Sequence, residues 1–341
     1  MTMITLRKLF TGIITMTACS AAIAQNSGYH VLNTYHIPSA GRWDYIAVCP
    51  ATECIYVSHQ TQVNILNKNT GDSVGVIPNT EGVHGITFAP KFKKGFTSNG
   101  KLNTVTVFDL NSNAVQAQIT TGENPDAIMY DPFSEKILVC NGRGKSLSVI
   151  NPSNNEVTNT IDLGGKPETA VSDEAGKIFI NIEDKNEIAV VNAKTWKVEK
   201  RWKIGKGESP SGLAIDTKTK RLFAGCDNKL LIVLNAENGK VVKELPIGEG
   251  CDGVAFDPSL KYAFSSNGEG TLTVIQEKSA NDYVVLENAK TKKGARTLAV
   301  DEQTHKVYLP TAEFANPVPQ EPAQKRPNMV PGTFQILVVG K

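Results

Sequence analysis

Residues that could bind a cation or transfer a proton recur along this chain about every 42 positions. They are Asp44, His84, Asp126, Glu168, Ser211, Asp252 and Arg296, separated by 40, 42, 42, 43, 41 and 44 residues. Carboxylates and a histidine around one cavity are ligands for a hard divalent cation such as Ca²⁺, Mg²⁺ or Mn²⁺. Such a cation can polarise a carbonyl group and activate water. An arginine among them can hold an anionic group or a developing oxyanion.

Each of these residues stands near the start of a segment typical of a β-strand. The segments at residues 43–48 and 83–88 are examples, and each precedes a turn and a second apolar strand such as residues 55–59 or 137–141. Seven repeats of four short strands predict an all-β protein, a seven-bladed β-propeller. In that fold the equivalent positions of all blades converge on one axis, so the seven residues form a predicted first ring at the mouth of a central channel.

The seventh repeat ends with its third strand, at residues 333–339. An alternating segment at residues 29–37 is therefore expected to supply the missing fourth strand and close the ring, which removes a free sheet edge. Residues 313–331 break the period with five prolines. That composition predicts an extended loop placed as a lid over the mouth. The whole of 25–341 is interpreted as one domain.

A second ring is expected from the ends of the second strands. It comprises His59, Asn99, Asn141, Glu183, Asp227, Asn267 and Glu313, with Arg143 close by. The metal candidates are His84, Asp126, Glu168 and Asp252. Glu183, Asp44 and His59 are candidates for general acid or base, since crowded carboxylates raise one another's pKa. The ligand-binding candidates are Arg296, Arg143, Asn99, Asn141, Asn267, Ser211, Asp227 and Glu313.

A purely structural interpretation stays open for part of this set. Asparagine before glycine, as at Asn99, Asn141 and Asn267, is typical of tight turns. Polar residues at strand starts can also fill a wet channel and bond between blades. His59 and Glu183 fit the turn interpretation less well, because they replace turn-forming residues of the sister repeats.

Residues 1–24 are predicted to be a signal peptide. Arg7 and Lys8 precede an apolar stretch, and Ala22-Ile23-Ala24 forms a small-x-small cleavage site. A lipoprotein signal with acylation at Cys19 is the alternative. The mature protein is thus expected in the periplasm or secreted, and no later segment has the roughly 20 apolar residues of a membrane helix.

The charge balance argues against a general polyanion binder. The chain has 36 Lys and Arg against 34 Asp and Glu, and loss of Arg7 and Lys8 leaves 34 against 34. Nucleic-acid affinity depends on neutralising phosphates, so the sequence gives no strong nucleic-acid signal.

Five cysteines remain after residue 24, and an oxidising compartment favours pairing. Cys49 and Cys54 flank a short turn, and Cys226 and Cys251 end and start strands of adjacent repeats. Both pairs are predicted disulfides, with free thiols as the alternative, and Cys140 is left over.

The repeat resembles the YVTN-repeat propellers of the YncE type, which are often grouped with propeller lactonases. The segment Tyr56-Val57-Ser58-His59 carries the resemblance, and similar segments stand at residues 138–141 and 179–181. The resemblance covers the chain from residue 29 to the C-terminus. It implies the fold and leaves the activity open. We expect the mouth to bind a small polar ligand or a metal ion. The alternatives are a metal-assisted lactonase or esterase and a periplasmic scaffold for a protein partner.

Overall fold

Twenty-eight short strands, rich in Val, Ile and Thr, make up most of the residues that the computed structural model describes, 27–315 and 328–341. They pair into seven four-stranded antiparallel sheets, which confirms the predicted seven-bladed β-propeller. The predicted signal peptide and residues 316–327 of the predicted lid lie outside the described residues. Among the described residues no helix has the length and apolar composition to span a bilayer.

The strands follow one another outwards in each blade, from the innermost to the edge. Blade one comprises β2 (Trp43–Val48), β3 (Cys54–His59), β4 (Gln62–Asn67) and β5 (Ser73–Ile77); blade two β6 (Val83–Ala89), β7 (Lys94–Asn99), β8 (Thr104–Asp109) and β9 (Val115–Thr120). Blade three comprises β10 (Pro125–Asp131), β11 (Lys136–Asn141), β12 (Ser146–Asn151) and β13 (Glu156–Asp162); blade four β14 (Pro167–Ser172), β15 (Lys177–Ile182), β16 (Glu187–Asn192) and β17 (Lys197–Lys203). Blade five comprises β18 (Pro210–Asp216), β19 (Arg221–Cys226), β20 (Leu230–Asn235) and β21 (Val241–Pro246); blade six β22 (Cys251–Asp257), β23 (Tyr262–Asn267), β24 (Thr271–Ser279) and β25 (Asp282–Lys290).

Blade seven combines both ends of the described chain. It comprises β26 (Ala299–Asp301), β27 (Lys306–Thr311) and β28 (Gln335–Gly340), with β1 (His30–His36) as its outermost strand. β1 runs antiparallel to β28, with His36 opposite Gln335 and His30 opposite Gly340. The expected closure by an N-terminal strand is therefore confirmed.

Apolar residues pack between the blades. Seven clusters of buried side chains can be distinguished among the described residues, and each is shared by two neighbouring blades. The cluster between blades seven and one contains Trp43, Phe334 and Tyr308, so the joint that closes the ring is packed like the others. Because each strand alternates its side chains between two faces, every blade contributes to two clusters.

Two 3₁₀-helices, Pro90–Phe92 and Glu183–Lys185, are the helical segments of the described chain. Glu183–Lys185 lies between β15 and β16 of blade four. It ends at Asn186, whose positive φ of 52° lets the chain turn back into β16. This turn brings Glu183 to the mouth face.

Candidate functional site

Local bulges present the first-ring residues to the channel. In blades one to six the pairing of the innermost strand shifts register beside the ring residue, for example between Trp43 and Ile46 and between Val83 and Ile86. A bulge takes a residue out of the ladder and redirects its side chain. All seven residues of the first ring line a single cavity of about 320 Å³ at the mouth of the channel.

Hydrogen bonds from the preceding blade fix the backbone of the ring. The side chains of Ser98 and Asn181 donate to the carbonyl groups of Asp126 and Ser211, the latter over 3.0 Å. Ser266 donates to the carbonyl of Arg296 over 2.5 Å. Thr297 of blade seven donates to the carbonyl of Asp44 over 2.6 Å, across the closure. The ring geometry is thus set by contacts between blades.

Asp44, His84 and Asp126, from blades one to three, form one compact group. His84 Nδ1 donates to Asp44 Oδ2 over 2.5 Å and lies 3.7 Å from Asp126 Oδ1. One ligand atom from each residue lies within 4.8 Å of the other two. A cation that reaches oxygen ligands at about 2.3–2.6 Å spans up to about 5 Å between opposite ligands, so the three residues fit one metal ion.

Arg296 links the two ends of the ring. Its Nε donates to Asp252 Oδ2 over 2.7 Å, and its Nη2 lies 3.2 Å from Asp44 Oδ1. Ser211 donates to the other oxygen of Asp252 over 2.6 Å. The guanidinium group also lies 6.0 Å from the centre of the Trp43 ring. Asp252, a predicted metal ligand, is therefore occupied by Arg296 and Ser211.

Lys166 is a cavity residue that the sequence reasoning missed. Its Nζ lies 2.6 Å from Glu168 Oε1 and makes a short ion pair with Glu183. It stands two residues before the ring position of blade four, where Gly82 and Gly250 stand in blades two and six. A charged residue in place of glycine was a signal that could have identified it, although the same signal selects Arg42 of blade one, which does not line the cavity. Glu168, a second predicted metal ligand, is bound by this lysine.

The second ring is only partly at the mouth. Glu183 and Asp227 line the cavity, whereas the other predicted members do not. Asn99 is buried and donates to Thr104 and Thr106 over 3.1 and 2.8 Å, and Asn141 and Asn267 make the same cross-strand bonds in their blades. These amides tie the second strand to the third, and the structure gives no support to a ligand-binding role for them.

Three further candidates lie outside the cavity. His59 is buried against Phe334, its Nε2 donates to the Gly41 carbonyl over 3.0 Å, and burial lowers its pKa. Arg143 is exposed and does not line the mouth. Glu313 is exposed and pairs with Lys292 over 2.7 Å. None of the three is placed to act on a ligand in the mouth.

The stem of the predicted lid is a short hairpin. Phe314 pairs with Met329, and the Phe314 ring lies 6.1 Å from the centre of the Trp43 ring. The stem therefore emerges beside blade one. The segment between its two sides, 316–327, falls outside the described residues.

Charge is unevenly balanced inside the cavity. Six carboxylates line it against three cationic side chains, those of His84, Lys166 and Arg296. The lining carboxylates are Asp44, Asp126, Glu168, Glu183, Asp227 and Asp252. Burial lowers the pKa of His84, but the neighbouring carboxylates, mainly Asp44 and Asp126, outweigh this effect. The pKa of His84 is therefore raised to about 9.

The excess of carboxylates also raises acid pKa values. Burial raises the pKa of Asp126 to about 6, although His84 opposes the shift. Burial and the charge of Asp126 raise the pKa of Glu168 to about 9 against the pull of Lys166. Burial also raises the pKa of Asp227, and the negative charge of Asp252 raises it further. Because the pKa values of these groups are raised, they release their protons at a higher pH than in water, and a bound cation could displace those protons.

The two predicted disulfides are corrected by the structure, in which all five cysteines of the described residues are free thiols. Cys226 and Cys251 point into different inter-blade clusters, Cys226 between blades four and five and Cys251 between blades five and six. Cys49 and Cys54 face each other in the β2–β3 hairpin, where the Cys49 amide donates to the Cys54 carbonyl over 2.9 Å.

Comparisons with known proteins identify the fold. No family model matches this chain, and no curated protein matches it. Among solved structures, hydrazine synthase from Kuenenia stuttgartiensis superposes with a TM-score of 0.70 at 14% identity, covering 87% of this chain and 96% of that chain. At that identity the likeness shows a shared propeller fold alone.

Proposed function

We propose that the protein binds a small cation at the mouth of its channel, and that the cation is a divalent metal ion, Ca²⁺, Mg²⁺ or Mn²⁺. The supporting observation is the group of Asp44, His84 and Asp126, whose ligand atoms lie within 4.8 Å of one another in a cavity with twice as many carboxylates as cations. Carboxylate oxygens and an imidazole nitrogen suit these ions. Binding would displace the proton that His84 Nδ1 donates to Asp44.

The predicted ligand set is thereby revised. Asp44 takes the place of Glu168 and Asp252, because the ligand atoms that lie within 4.8 Å of one another belong to Asp44, His84 and Asp126. Asp44 shares Arg296 with Asp252, whereas Glu168 is bound by Lys166. Asp126 is the decisive ligand, since its nearest cationic partner within the described residues is His84 at 3.7 Å. An ion bound there would lower the pKa of Asp126 and favour its charged form.

Titration calorimetry of Mn²⁺ into metal-free mature protein tests the proposal. We expect one site per chain, and we expect Asp126→Asn to weaken binding at least tenfold. Asp282→Asn is the matched control, because Asp282 is an exposed carboxylate on the edge strand β25. Absence of Mn²⁺, Ca²⁺ and Mg²⁺ binding to the wild type would refute metal binding. A thermal shift with small organic amines but not with metals would assign the mouth to a small polar ligand.

A metal-assisted lactonase or esterase is the second candidate, and one observation favours it. Glu168 is only 7% exposed, lines the same cavity as the proposed metal group, and has its pKa raised to about 9. A carboxyl group that keeps its proton near neutral pH can act as a general acid towards a departing alkoxide. The partly exposed Glu183 is the corresponding candidate base.

Hydrolysis of simple esters and lactones, with and without a chelator, tests this candidate. We expect Glu168→Gln to reduce the rate at least a hundredfold, while Mn²⁺ affinity changes little. A rate that chelation leaves unchanged would contradict a metal-assisted reaction.

We further propose that the mature chain begins after Ala24 and acts in the periplasm or outside the cell. The basic start, apolar stretch and small-x-small site of residues 1–24 support this proposal. N-terminal sequencing of the protein from a secreting bacterial host checks it. A mature chain that starts at a lipid-modified Cys19 would support the lipoprotein alternative instead.

A further inference from the structure

Tyr45 is out of pattern among the innermost strands. It directly follows the ring residue of blade one, and the equivalent residues of the other blades are small: Gly85, Ala127, Thr169, Gly212, Gly253 and Thr297. Small residues in this tier leave the centre of the ring open. Blade one therefore has a phenol ring at the position where the other six blades have glycine, alanine or threonine.

The Tyr45 side chain extends across the channel. It starts on blade one and packs against the apolar cluster of blades three and four, which includes Ala127 and Ala170. The ring thus lies across the axis rather than along the channel wall.

Two cavities meet at this ring. Tyr45 lines the polar mouth of about 320 Å³, and it also lines a second cavity of about 120 Å³ farther along the channel. The second cavity is bounded largely by apolar side chains, including Ile86, Ile128 and Met129. Tyr45 is the one described residue that the linings of the acid-rich cavity and the apolar cavity have in common.

We propose that Tyr45 is the specificity-determining residue of the mouth. Its ring closes the channel, so the site is a blind cup that binds the charged head of a small cation and offers no apolar surface to an aliphatic chain. The proposal rests on the cation binding argued above, and its test separates the two. Without the ring, the apolar chamber would become continuous with the mouth and could receive an alkyl chain below a charged head group.

Binding of methylammonium and hexylammonium chloride, measured by calorimetry, tests the proposal. The two probes share a head group, so the ratio of their affinities reports on the alkyl chain alone. We expect the wild type to bind hexylammonium no more tightly than methylammonium. In Tyr45→Ala we expect hexylammonium to bind at least tenfold more tightly than in the wild type, because each buried methylene contributes about fourfold. Methylammonium binding should change less than threefold.

Tyr45→Phe is the matched control, since it keeps the ring and removes the hydroxyl group. It should exclude hexylammonium as the wild type does. Tyr45→Leu, whose side chain is too short to cross the channel, serves as a second opening variant if Tyr45→Ala proves unstable. Circular dichroism and thermal unfolding confirm that each variant is folded before it is measured.

Three results would overturn the proposal. They are preferential binding of hexylammonium by the wild type, absence of any gain in a folded Tyr45→Ala or Tyr45→Leu protein, and an equal gain in Tyr45→Phe. Mn²⁺ binding is measured on the same proteins. Loss of the metal proposal would show as no Mn²⁺ binding in any of them, while the ratio of the two amines would still report on Tyr45.

Discussion

His84 of blade two donates its Nδ1 proton to Asp44 of blade one over 2.5 Å, so the ring residues of two neighbouring blades share a charged hydrogen bond. Because the carboxylates around it raise the pKa of His84 to about 9, this imidazole is charged at neutral pH. The bond therefore contributes both to the site and to the contact between blades.

The stability of the protein should fall as pH rises from about 6.5 to about 9. A histidine with a raised folded-state pKa stabilises the native state fully below its unfolded value of about 6.5, and this contribution is lost as pH passes the folded value. The shift corresponds to on the order of 3 kcal/mol at most. Urea unfolding across this range measures the loss. An imidazole that titrates near 6.5 by NMR, assigned through His84→Gln, would contradict the prediction.

Lys166→Met should destabilise the protein by about 1–3 kcal/mol, because the buried Glu168 and the partly exposed Glu183 lose their shared hydrogen-bond donor. Methionine retains the apolar stem, so the loss reports on the charge. Lys145→Met is the matched control: Lys145 pairs with Asp184 at 3.6 Å on the surface, and such pairs contribute about 0–1 kcal/mol. Chemical denaturation of the two variants makes the comparison. Equal effects would mean that Lys166 is an ordinary surface lysine.

Arg296→Lys should destabilise the protein by about 1.5–3 kcal/mol, because one hydrogen bond to a charged group is lost although the charge is conserved. Arg296 uses two separate nitrogens to reach Asp252 and Asp44, and a single ammonium group cannot reproduce that fork. Arg143→Lys, at an exposed position outside the cavity, should have no measurable effect. Thermal unfolding distinguishes them, and a wild-type melting temperature for Arg296→Lys would refute the prediction.

Val139→Thr should stabilise the protein by about 1 kcal/mol, because it supplies a donor to a buried acceptor. In blade two the Thr97 hydroxyl donates to Asn99 Oδ1 over 2.9 Å, and Ser265 does the same for Asn267. Blade three has Val139 at that position, and Asn141 Oδ1 is buried with no hydrogen-bond partner among the described residues.

Thr97→Val is the reciprocal change and should lower the free energy of unfolding by about 1–3 kcal/mol. It removes the donor to Asn99 Oδ1, which then lacks this hydrogen bond as Asn141 Oδ1 does. Both substitutions keep the side-chain shape. Urea denaturation of the two variants tests the pair, and changes of the same sign would show that the repeat comparison does not hold.

The first ring could be predicted from the sequence because a β-propeller converts a sequence period into a spatial coincidence. His84 and Asp252, 168 positions apart, line one cavity for that reason alone. The period also located β1 in blade seven, since a three-stranded repeat leaves a sheet edge unpaired.

The second ring was predicted less well, because a side chain at the end of a strand can point either into its own sheet or towards the mouth. Asn99 and Glu183 occupy related positions, yet Asn99 points into its own sheet while Glu183 stands on a 3₁₀ turn at the mouth. The cysteine pairing was wrong for a similar reason, as Cys226 and Cys251 are neighbours along the ring but face opposite sides of blade five. The spacing of the repeats predicts which strands lie next to each other, but it does not predict the direction in which a side chain at a strand end points.

The closure of blade seven determines how the protein can be attached to anything else. Gln335, at the start of β28, pairs with Thr311 at the mouth end, so Gly340 and its partner His30 lie at the opposite end of the blade. The described chain therefore enters and leaves blade seven on the side away from the acidic cavity. A tag, a fusion partner or a surface joined beside Gly28 or Lys341 would therefore be attached at the end of blade seven opposite the cavity.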